Sequence, residues 1–315
     1  MSQNFAQISD PHLTTLAGVR ARDLFNKRAL GYLSWRRKRR HEHRPEVLDA
    51  LCRDLHGQDF QQILVTGDLT HIGLPMEFEQ ARNWLRQLGE PTDVALVPGN
   101  HDSCVASPWE NTYALWEDYM SSDSNNERQA GSACIFPSLR QRGDIVFIGL
   151  STACPTAPLM ATGNIDEAQL RQLPNLLDRA YQQGLCRVVY LHHSPVPGVE
   201  QWRKRLCNAP ALSRILEDHG AELVLHGHGH RRRNDSLQTR HGLAPVIAIP
   251  SASAMGLHGK DSAAYNRYSL QRQSDGWDLQ VSCRRYDVAD ARFIEGDRIS
   301  LELKRPGLQP SPENL

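Results

Sequence analysis

The chain of 315 residues has no net charge, because 36 basic side chains balance 36 acidic ones. A protein without net charge has no overall field that would attract nucleic acid. Its seven cysteines are odd in number, and no Cys-x-x-Cys pair occurs. This pattern argues against a disulfide framework and against a thiolate zinc site, and it is typical of free thiols in a reducing cytosol.

Long apolar runs are also missing. No stretch of about 18 uninterrupted apolar residues occurs, so we expect no transmembrane helix. The first residues, MSQNFAQISDPHL, show no basic segment followed by a long apolar one, so we expect no signal peptide. These absences favour a cytoplasmic protein.

What is present is an ordinary globular composition that is rich in histidine. Hydrophobic residues make up 40% and charged residues 23% of the chain, and there are 14 histidines. A chain of this length can bury a sizeable core, in one large α/β domain or two modest ones. The number of histidines makes metal chemistry the first function to consider.

Short apolar runs alternate with segments whose apolar residues recur every three or four positions. The apolar runs predict buried strands at Phe5–Ser9, Ile63–Thr66, Val94–Val97, Ile145–Leu150, Val188–Leu191 and Leu223–Leu225. The periodic segments predict helices at Pro45–His56, Met76–Leu88, Asp166–Gln183 and Gln201–His219. This alternation favours parallel strands with crossover helices. After about Arg233 the helical pattern stops, and a run of strands is expected to close the domain.

Five of the apolar runs end at aspartate, asparagine or histidine. In chain order they deliver Asp10 and His12, Asp68, Asn100 to Asp102, His192 and His193, and His228 and His230. The carboxyl ends of strands gather along one edge of an α/β sheet, so these polar groups should converge. Carboxylate, imidazole and amide donors suit zinc, manganese or iron, and a carboxylate can bridge two such ions.

Each of these short motifs alone has an ordinary explanation as a turn or a helix cap. All five in order, each ending an apolar run, favour a metal site. Glycines at 67, 99, 227 and 229 are expected to supply the backbone freedom that such turns require.

With these residues, the chain resembles the calcineurin-like metallophosphoesterase family. The motifs DPH, GD, GNHD, HH and GHGH stand in the family's order between Asp10 and His230. The resemblance implies an α/β fold, a four-layer α/β/β/α sandwich with two mixed β-sheets, which the strand pattern only half anticipates. The segments LHHSP, VPGNHD and GDLTHIG are most similar to the bacterial branch that includes cyclic-nucleotide phosphodiesterases and glycerophosphodiesterases.

The resemblance also implies roles for single residues and two divalent metal ions, Mn, Fe or Zn. It places the first metal on Asp10, His12, Asp68 and His230. Asp68 would bridge to the second metal, whose site Asn100, His192 and His228 would complete. A hydroxide shared by the metals would attack phosphorus, His101 would donate a proton to the leaving oxygen, and Asp102 would orient His101.

Three further features near these motifs have more than one interpretation. We favour His192 over His193 as the ligand, because His192 directly follows the strand. His226 precedes the last motif and is expected to be a satisfied core or supporting histidine. The run Arg231 to Arg233 could hold a substrate phosphate or form a solvated turn.

The domain boundaries follow from these segments. Residues 1–303 are interpreted as one metallophosphoesterase domain, and residues 304–315 as a flexible tail. The polar segment 121–132 predicts a surface loop. A helical insertion at about 16–44 follows the first strand. Its apolar and aromatic residues are interleaved with bases and precede the basic run Arg36 to Arg40; they are Leu24, Phe25, Leu30, Tyr32, Leu33 and Trp35.

The insertion should overhang the metals, and three interpretations of it stay open. It could be a solvated basic helix that covers the core. It could be a lid whose aromatic and basic residues contact an anionic, lipidic substrate or the membrane surface. It could instead bind single-stranded nucleic acid on its aromatic side chains.

The function predicted on these grounds is a metal-dependent phosphodiesterase, a phosphoric ester hydrolase. The alternatives are a membrane-surface lipid-linked pyrophosphatase or phospholipid phosphoesterase, a nuclease, and an inactive metal-bound scaffold. The expected partner is a phosphoester substrate, with peripheral contact to an anionic inner membrane surface as a further alternative. Nucleic acid is not expected as a partner, and the sequence predicts no oligomeric state.

Overall fold

A computed structural model describes residues 2–13, 15–123 and 135–305. Most of the predicted surface loop 121–132 and of the predicted tail 304–315 lies outside these residues. The twelve strands of the described residues are β1 Gln3–Ile8, β2 Gln62–Val65, β3 Val94–Leu96, β4 Ser138–Arg142, β5 Ile145–Gly149, β6 Cys186–Tyr190, β7 Leu223–His226, β8 Arg233–Thr239, β9 Gly242–Ala248, β10 Ala264–Gln273, β11 Gly276–Asp287 and β12 Arg292–Lys304.

The helices agree closely with the sequence periodicity at three of the four predicted places. The α-helices of the described residues are α1 Arg28–Ser34, α2 Arg40–Glu42, α3 Pro45–His56, α4 Pro75–Leu88, α5 Glu117–Met120, α6 Glu167–Gln182 and α7 Ala209–His219. Pro45 is the first residue of α3. A proline is tolerated there because the backbone N–H groups of a first turn have no partner within the helix. The Asp166 carboxylate caps α6 by accepting from the Gln169 backbone N–H at 2.8 Å.

The predicted helix over 201–219 is wrong in its first eight residues. Helix α7 begins at Ala209, and the residues before it form turns. Pro210 explains the late start, because a proline ring inside a helix clashes with the carbonyl group four residues earlier. In the observed helix Pro210 stands in the first turn, where it is tolerated.

The strands form two mixed sheets of six strands each. One sheet has the order β12-β11-β10-β1-β2-β3, and the other has the order β4-β5-β6-β7-β9-β8. Strands β1, β2 and β3 are parallel, as are β5, β6, β7 and β9, and the remaining pairs are antiparallel. The parallel strands confirm the sequence pattern, and the two mixed sheets confirm what the family resemblance implied.

Three apolar cores hold the layers together. Between the sheets, Phe5 stacks on Tyr268 at 4.7 Å between ring centroids, and Phe147 meets Phe5 edge-on. A second core packs α3 and α4 against the first sheet, and a third packs α6 and α7 against the second sheet. Helices therefore cover both outer faces, which is an α/β/β/α sandwich.

The insertion lies beside the loops that follow β2 and β3. Arg28 of α1 donates hydrogen bonds to the backbone oxygens of Ile72 and Gly73, at 3.1 and 2.6 Å, and to Ser107 Oγ at 2.9 Å. Trp35 joins a small apolar cluster that contains Ile72. The insertion is therefore anchored to the loop next to the predicted metal ligand Asp68.

No helix among the described residues combines the length and apolar character needed to cross a lipid bilayer.

Candidate metal centre

Four of the predicted ligands form one compact group at the carboxyl ends of β1, β2 and β7. One ligand atom from each of Asp10, His12, Asp68 and His230 lies within 4.8 Å of the others. His230 Nε2 is 3.1 Å from Asp10 Oδ1 and 3.3 Å from His12 Nε2. These residues come from distant parts of the sequence, and the topology of the two sheets brings them together.

The other three predicted ligands form a second group that also reaches the Asp68 carboxylate. His192 Nε2 is 3.2 Å from both Asn100 Oδ1 and His228 Nδ1. Asp68 Oδ2 is 3.3 Å from His192 Nε2 and 3.9 Å from His12 Nε2. One carboxylate thus stands between two groups of donors, which is the position that a bridging ligand requires.

Backbone strain is concentrated at these residues. Of the seven non-glycine residues with positive φ in the described chain, five are predicted ligands: Asp10, His12, Asp68, His228 and His230. Such residues normally avoid the left-handed region, and strain of this kind clusters at functional sites. The ligands themselves make the sharp turns that deliver their side chains.

Only one of the four glycines predicted to supply unusual backbone conformations does so. Gly67 has φ of +95°, as predicted, but glycines 99, 227 and 229 do not have positive φ. A Cβ on Gly99 would meet the Asp68 carboxylate and lie 2.6 Å from its backbone nitrogen. Gly99 is therefore needed because the Asp68 turn approaches it closely, and not because of its own backbone conformation.

The imidazoles that face the centre have defined tautomers. His12 Nδ1 lies 3.0 Å from Thr70 O, and His192 Nδ1 lies 2.7 Å from Thr66 O. A carbonyl oxygen only accepts, so each Nδ1 carries a proton, and Nε2 is the ring nitrogen left to face a cation. Hydrogen bonds of this kind orient metal-bound histidines.

The donor set fits divalent cations in both groups. Burial, followed by nearby His43, lowers the pKa of His12 well below its usual value, so this imidazole stays neutral, as a metal ligand must. His228 is buried, and its Nε2 has no hydrogen-bond partner among the described residues. Ring nitrogens held as close as those of His192 and His228 need a cation or a proton between them.

Two further histidines have surroundings of a different kind. Both ring nitrogens of His193 have partners, Thr152 Oγ1 at 2.7 Å and Ala161 O at 3.2 Å. His226 is buried and its Nδ1 is 3.1 Å from Gly227 O, but its Nε2 has no hydrogen-bond partner among the described residues, so it is not the fully satisfied histidine that was expected. These contacts favour His192 over His193 as the ligand.

His101 lies beside the metal ligands and is oriented by a backbone group. Its Nδ1 is 2.6 Å from His71 O, and its ring is 5.0 Å from that of His12. Burial and then the charge of Arg39 lower the pKa of His101 to about 3, so the imidazole is neutral at pH 7 in the free protein. An anionic group beside it would favour the protonated form.

The Asp102 carboxylate has different partners from those expected. It accepts hydrogen bonds from the backbone N–H groups of Asp68, Thr70 and Gly99, at 2.9 to 3.0 Å. The ring of His101 is held by His71 O instead. Asp102 therefore fixes the turns that carry Asp68 and Asn100.

Two residues of the insertion reach the centre without having been singled out in the sequence. His43 lies with His12 and His230 in a group whose ligand atoms are within 4.8 Å of one another. Arg39 Nη1 is 3.0 Å from His101 Nδ1. Their only sequence signal was membership of a basic segment close behind Asp10 and His12, since neither residue ends a strand.

A cavity lies on the far side of the loop that carries Asn100. Its volume is about 210 Å³, and none of the seven predicted ligands lines it. Pro98 and Ser103, which flank the turn that carries Asn100, lie in its wall together with Trp109 and Tyr113. The cavity therefore shares the loop after β3 with the metal centre but contains none of the predicted ligands.

A cluster of carboxylate and imidazole donors lies at the strand ends of two mixed sheets, and the family that this chain matches makes it a metal-dependent phosphoric ester hydrolase. The sequence model of calcineurin-like phosphoesterases matches residues 4–232, and the chain belongs to that family. Divalent metal ions are the cofactors that this membership implies.

Individual relatives agree with this assignment. The chain is 28% identical over 236 residues to a 3',5'-cyclic-nucleotide phosphodiesterase of Nostoc sp., covering 72% of this chain and 71% of the relative. It is 27% identical over 234 residues to a probable cyclic nucleotide phosphodiesterase of Synechococcus sp., covering 70% and 75%. The structure of a dimetal phosphatase from Danio rerio superposes with a TM-score of 0.52 at 14% identity, covering 96% of this chain and 99% of that one, which supports the fold alone.

Proposed function

We propose that this protein is a phosphodiesterase that works with two divalent cations of the Mn, Fe or Zn type. Asp10, His12, Asp68 and His230 would hold one cation, and Asn100, His192 and His228 would complete the second site around Asp68. The observation that carries this proposal is the position of Asp68 Oδ2, 3.3 Å from His192 Nε2 and 3.9 Å from His12 Nε2. When bound, such a pair of cations supplies Lewis-acid polarisation of a phosphoryl oxygen and lowers the pKa of water.

The other residues would position the substrate and move a proton. His101 would donate to the leaving oxygen from Nε2, because its Nδ1 is committed to His71 O. Asp102 would act as a positioning residue, since its carboxylate ties the backbone of Asp68 to that of Gly99. Both roles depend on turns whose geometry exists before substrate binds.

The substrate class proposed first is the cyclic nucleotides, which are phosphodiesters. Support comes from the names of the two cyanobacterial relatives and from the cavity that shares the loop after β3 with the centre, where Trp109 and Tyr113 offer aromatic surface to a base. The product would be a phosphomonoester, with water as the acceptor.

The test uses the full chain loaded with manganese. We expect hydrolysis of a chromogenic phosphodiester and of 3',5'-cyclic AMP, with much slower turnover of a chromogenic phosphomonoester. His101→Ala should lower kcat by roughly 100-fold or more with two metals still bound, whereas Asp68→Asn should lose metal. Turnover that survives His101→Ala would refute the proton-donor role, and a protein that binds no metal would refute the whole proposal.

A second candidate function is action at an anionic membrane surface, which one observation favours. On the insertion, Phe25 is 86%, Leu30 46% and Leu33 41% exposed, close to the exposed bases at 36–38 and 40. Apolar and basic side chains together suit the headgroup region of a bilayer. Cosedimentation with vesicles of anionic but not neutral lipid, abolished by Phe25→Ser with Leu33→Ser, would support it.

A further inference from the structure

Arg39 differs from the other bases of the run 36–40. Residues 36–40 are five consecutive bases, and Arg39 alone is half-buried while the others are exposed. Its Nη1 lies 3.0 Å from Nδ1 of His101. A charged side chain that turns inward beside predicted metal ligands needs a reason, since its neighbours are fully hydrated outside.

The contact with His101 gives the Arg39 guanidinium no hydrogen-bond acceptor. His101 Nδ1 lies 2.6 Å from His71 O, and because a carbonyl oxygen only accepts, Nδ1 must carry the proton there. The same nitrogen then has no lone pair to offer the guanidinium, which consists of donors only. No other hydrogen bond and no ion pair of the Arg39 side chain occurs among the described residues, so its donors stand ready for an acceptor.

The backbone around Arg39 aims this donor set at the centre. Trp35–Arg39 form a π-helical turn between α1 and α2, a widened turn that often occurs at functional sites. The His43 backbone N–H donates to Arg39 O at 2.8 Å and closes the next turn. His43 follows on the same side and reaches the group of His12 and His230. The insertion thus presents two side chains, one turn apart, toward the predicted ligands.

The charges of the centre decide what Arg39 can bind. Among the carboxylates whose negative charges act on the Arg39 guanidinium, Asp68 and Asp10 are predicted to be neutralised by cations. With cations bound, Arg39 would face a positive site, which is stable only if an anion lies between them. A phosphoryl group has the geometry for this, because guanidinium binds two of its oxygens at once.

We propose that Arg39 binds the non-bridging oxygens of the substrate phosphoryl group, so that the insertion completes the substrate site. The inference rests on the proposed function, since it needs a phosphoryl group at the metal pair. The hydrogen bonds from Arg28 to the backbone of Ile72 and Gly73 fix the insertion, and with it the position of Arg39. The other bases of the run remain at the surface.

The probe is inorganic phosphate, titrated calorimetrically into the manganese-loaded full chain. Arg39→Ala should weaken phosphate binding by roughly 10- to 100-fold, the value of a lost hydrogen bond to a charged group. Arg39→Lys should recover only part of the affinity, because it keeps the charge but loses the two-pronged geometry. Arg37→Ala, the matched control, removes an exposed base from the same turn and should bind phosphate like the wild type.

Turnover and stability complete the test. Arg39→Ala should lower kcat/KM for a chromogenic phosphodiester by roughly 100-fold, with two metals bound and the thermal midpoint unchanged. Phosphate affinity equal in Arg39→Ala and Arg37→Ala would overturn the inference, even if the wild type is an active phosphodiesterase. A wild type that binds metal and phosphate but cleaves no diester would instead refute the proposed function. The phosphate affinities would still show whether Arg39 binds a phosphoryl group.

Discussion

The strained turns of the centre are held by hydrogen bonds between neighbouring loops. The Asp10 backbone N–H donates to Gly67 O, and that of His12 to Asp68 O, both at 3.0 Å. Strain of this type costs about 1–3 kcal/mol for each residue and persists only where the surroundings over-determine it. The loops therefore hold the ligand side chains in place before a cation arrives, which reduces the entropy lost on binding.

Gly99→Ala tests how tightly these loops are packed. The new Cβ would collide with the Asp68 carboxylate and backbone, so we expect loss of metal and destabilisation of about 1–3 kcal/mol. Metal content by elemental analysis and the urea midpoint measure the two effects.

Gly57→Ala is the control, because its Cβ would meet nothing closer than 3.5 Å and its φ is −79°. It should leave metal binding unchanged. Two metals retained in Gly99→Ala would show that the Asp68 turn can move aside.

The adjacent histidines offer a second comparison between single residues. His192→Ala should reduce the metal content from two ions to one or fewer, because it removes an Nε2 that faces both Asp68 and Asn100. His193→Ala should keep two metals but lower stability by about 1–3 kcal/mol, since Thr152 loses a buried partner. Metal loss in His193→Ala with retention in His192→Ala would reverse the assignment.

At this scale the sequence was informative wherever a ligand directly follows a strand. The convergence of Asp10, Asp68 and His228 could be predicted because the end of a buried strand fixes where the next residues go, while their roles as ligands stay a prediction. Arg39 and His43 could not, because their positions depend on how an insertion folds back over the site. The partners of Asp102 were equally hidden, since they are backbone groups of a separate loop.

The insertion buries few of its own residues. Its short helix α1 buries no residue, so its place depends on polar anchors and on close approach. A Cβ on Gly31 would strike the Ile72 side chain, which shows how near α1 lies to the loop after β2. An element held in this way is expected to open locally at low cost.

Arg28→Ala should release the insertion without unfolding the domain. The change removes three hydrogen bonds to Ile72, Gly73 and Ser107, so local opening should become roughly 10-fold or more frequent. Limited trypsin cleavage within residues 36–40, followed by mass spectrometry, measures this opening.

Arg22→Ala is the matched variant, because the Arg22 side chain is 70% exposed and makes only a long ion pair with Asp23. Its cleavage rate should match that of the wild type. If trypsin cleaves Arg28→Ala no faster than the wild type, the apolar contacts of Trp35 and Tyr32 suffice to hold the insertion.

The sequence predicted individual elements better than their pairing. Parallel β1, β2 and β3 were expected because helices separate them in the chain. The long antiparallel strands β10, β11 and β12 extend the first sheet from its other side, through β1. Nothing in their alternating pattern says which edge they join, because alternation encodes one buried face and not the identity of the neighbouring strand.

For the whole molecule, the metal centre lies where the two sheets meet. Asp10, His12 and Asp68 follow strands of the first sheet, whereas His192 and His228 follow strands of the second. Direct contacts already cross this boundary, since the His228 backbone N–H donates to Asp10 Oδ2 at 3.0 Å and Gln7 Nε2 to His226 O at 3.0 Å. Bound cations would therefore tie the two halves of the sandwich together.

Removal of metal should accordingly lower the stability of the entire domain. A ligand at 100 times its dissociation constant stabilises the folded state by about 2.7 kcal/mol, so chelation should lower the thermal midpoint by roughly 5 °C or more. Scanning calorimetry with and without chelator measures the shift. His101→Ala should show the same shift as the wild type, because His101 is not a predicted ligand, whereas Asp68→Asn should show little. If chelation empties the protein of metal and the midpoint does not move, the cations do not join the two sheets, and the bridging position assigned to Asp68 is wrong.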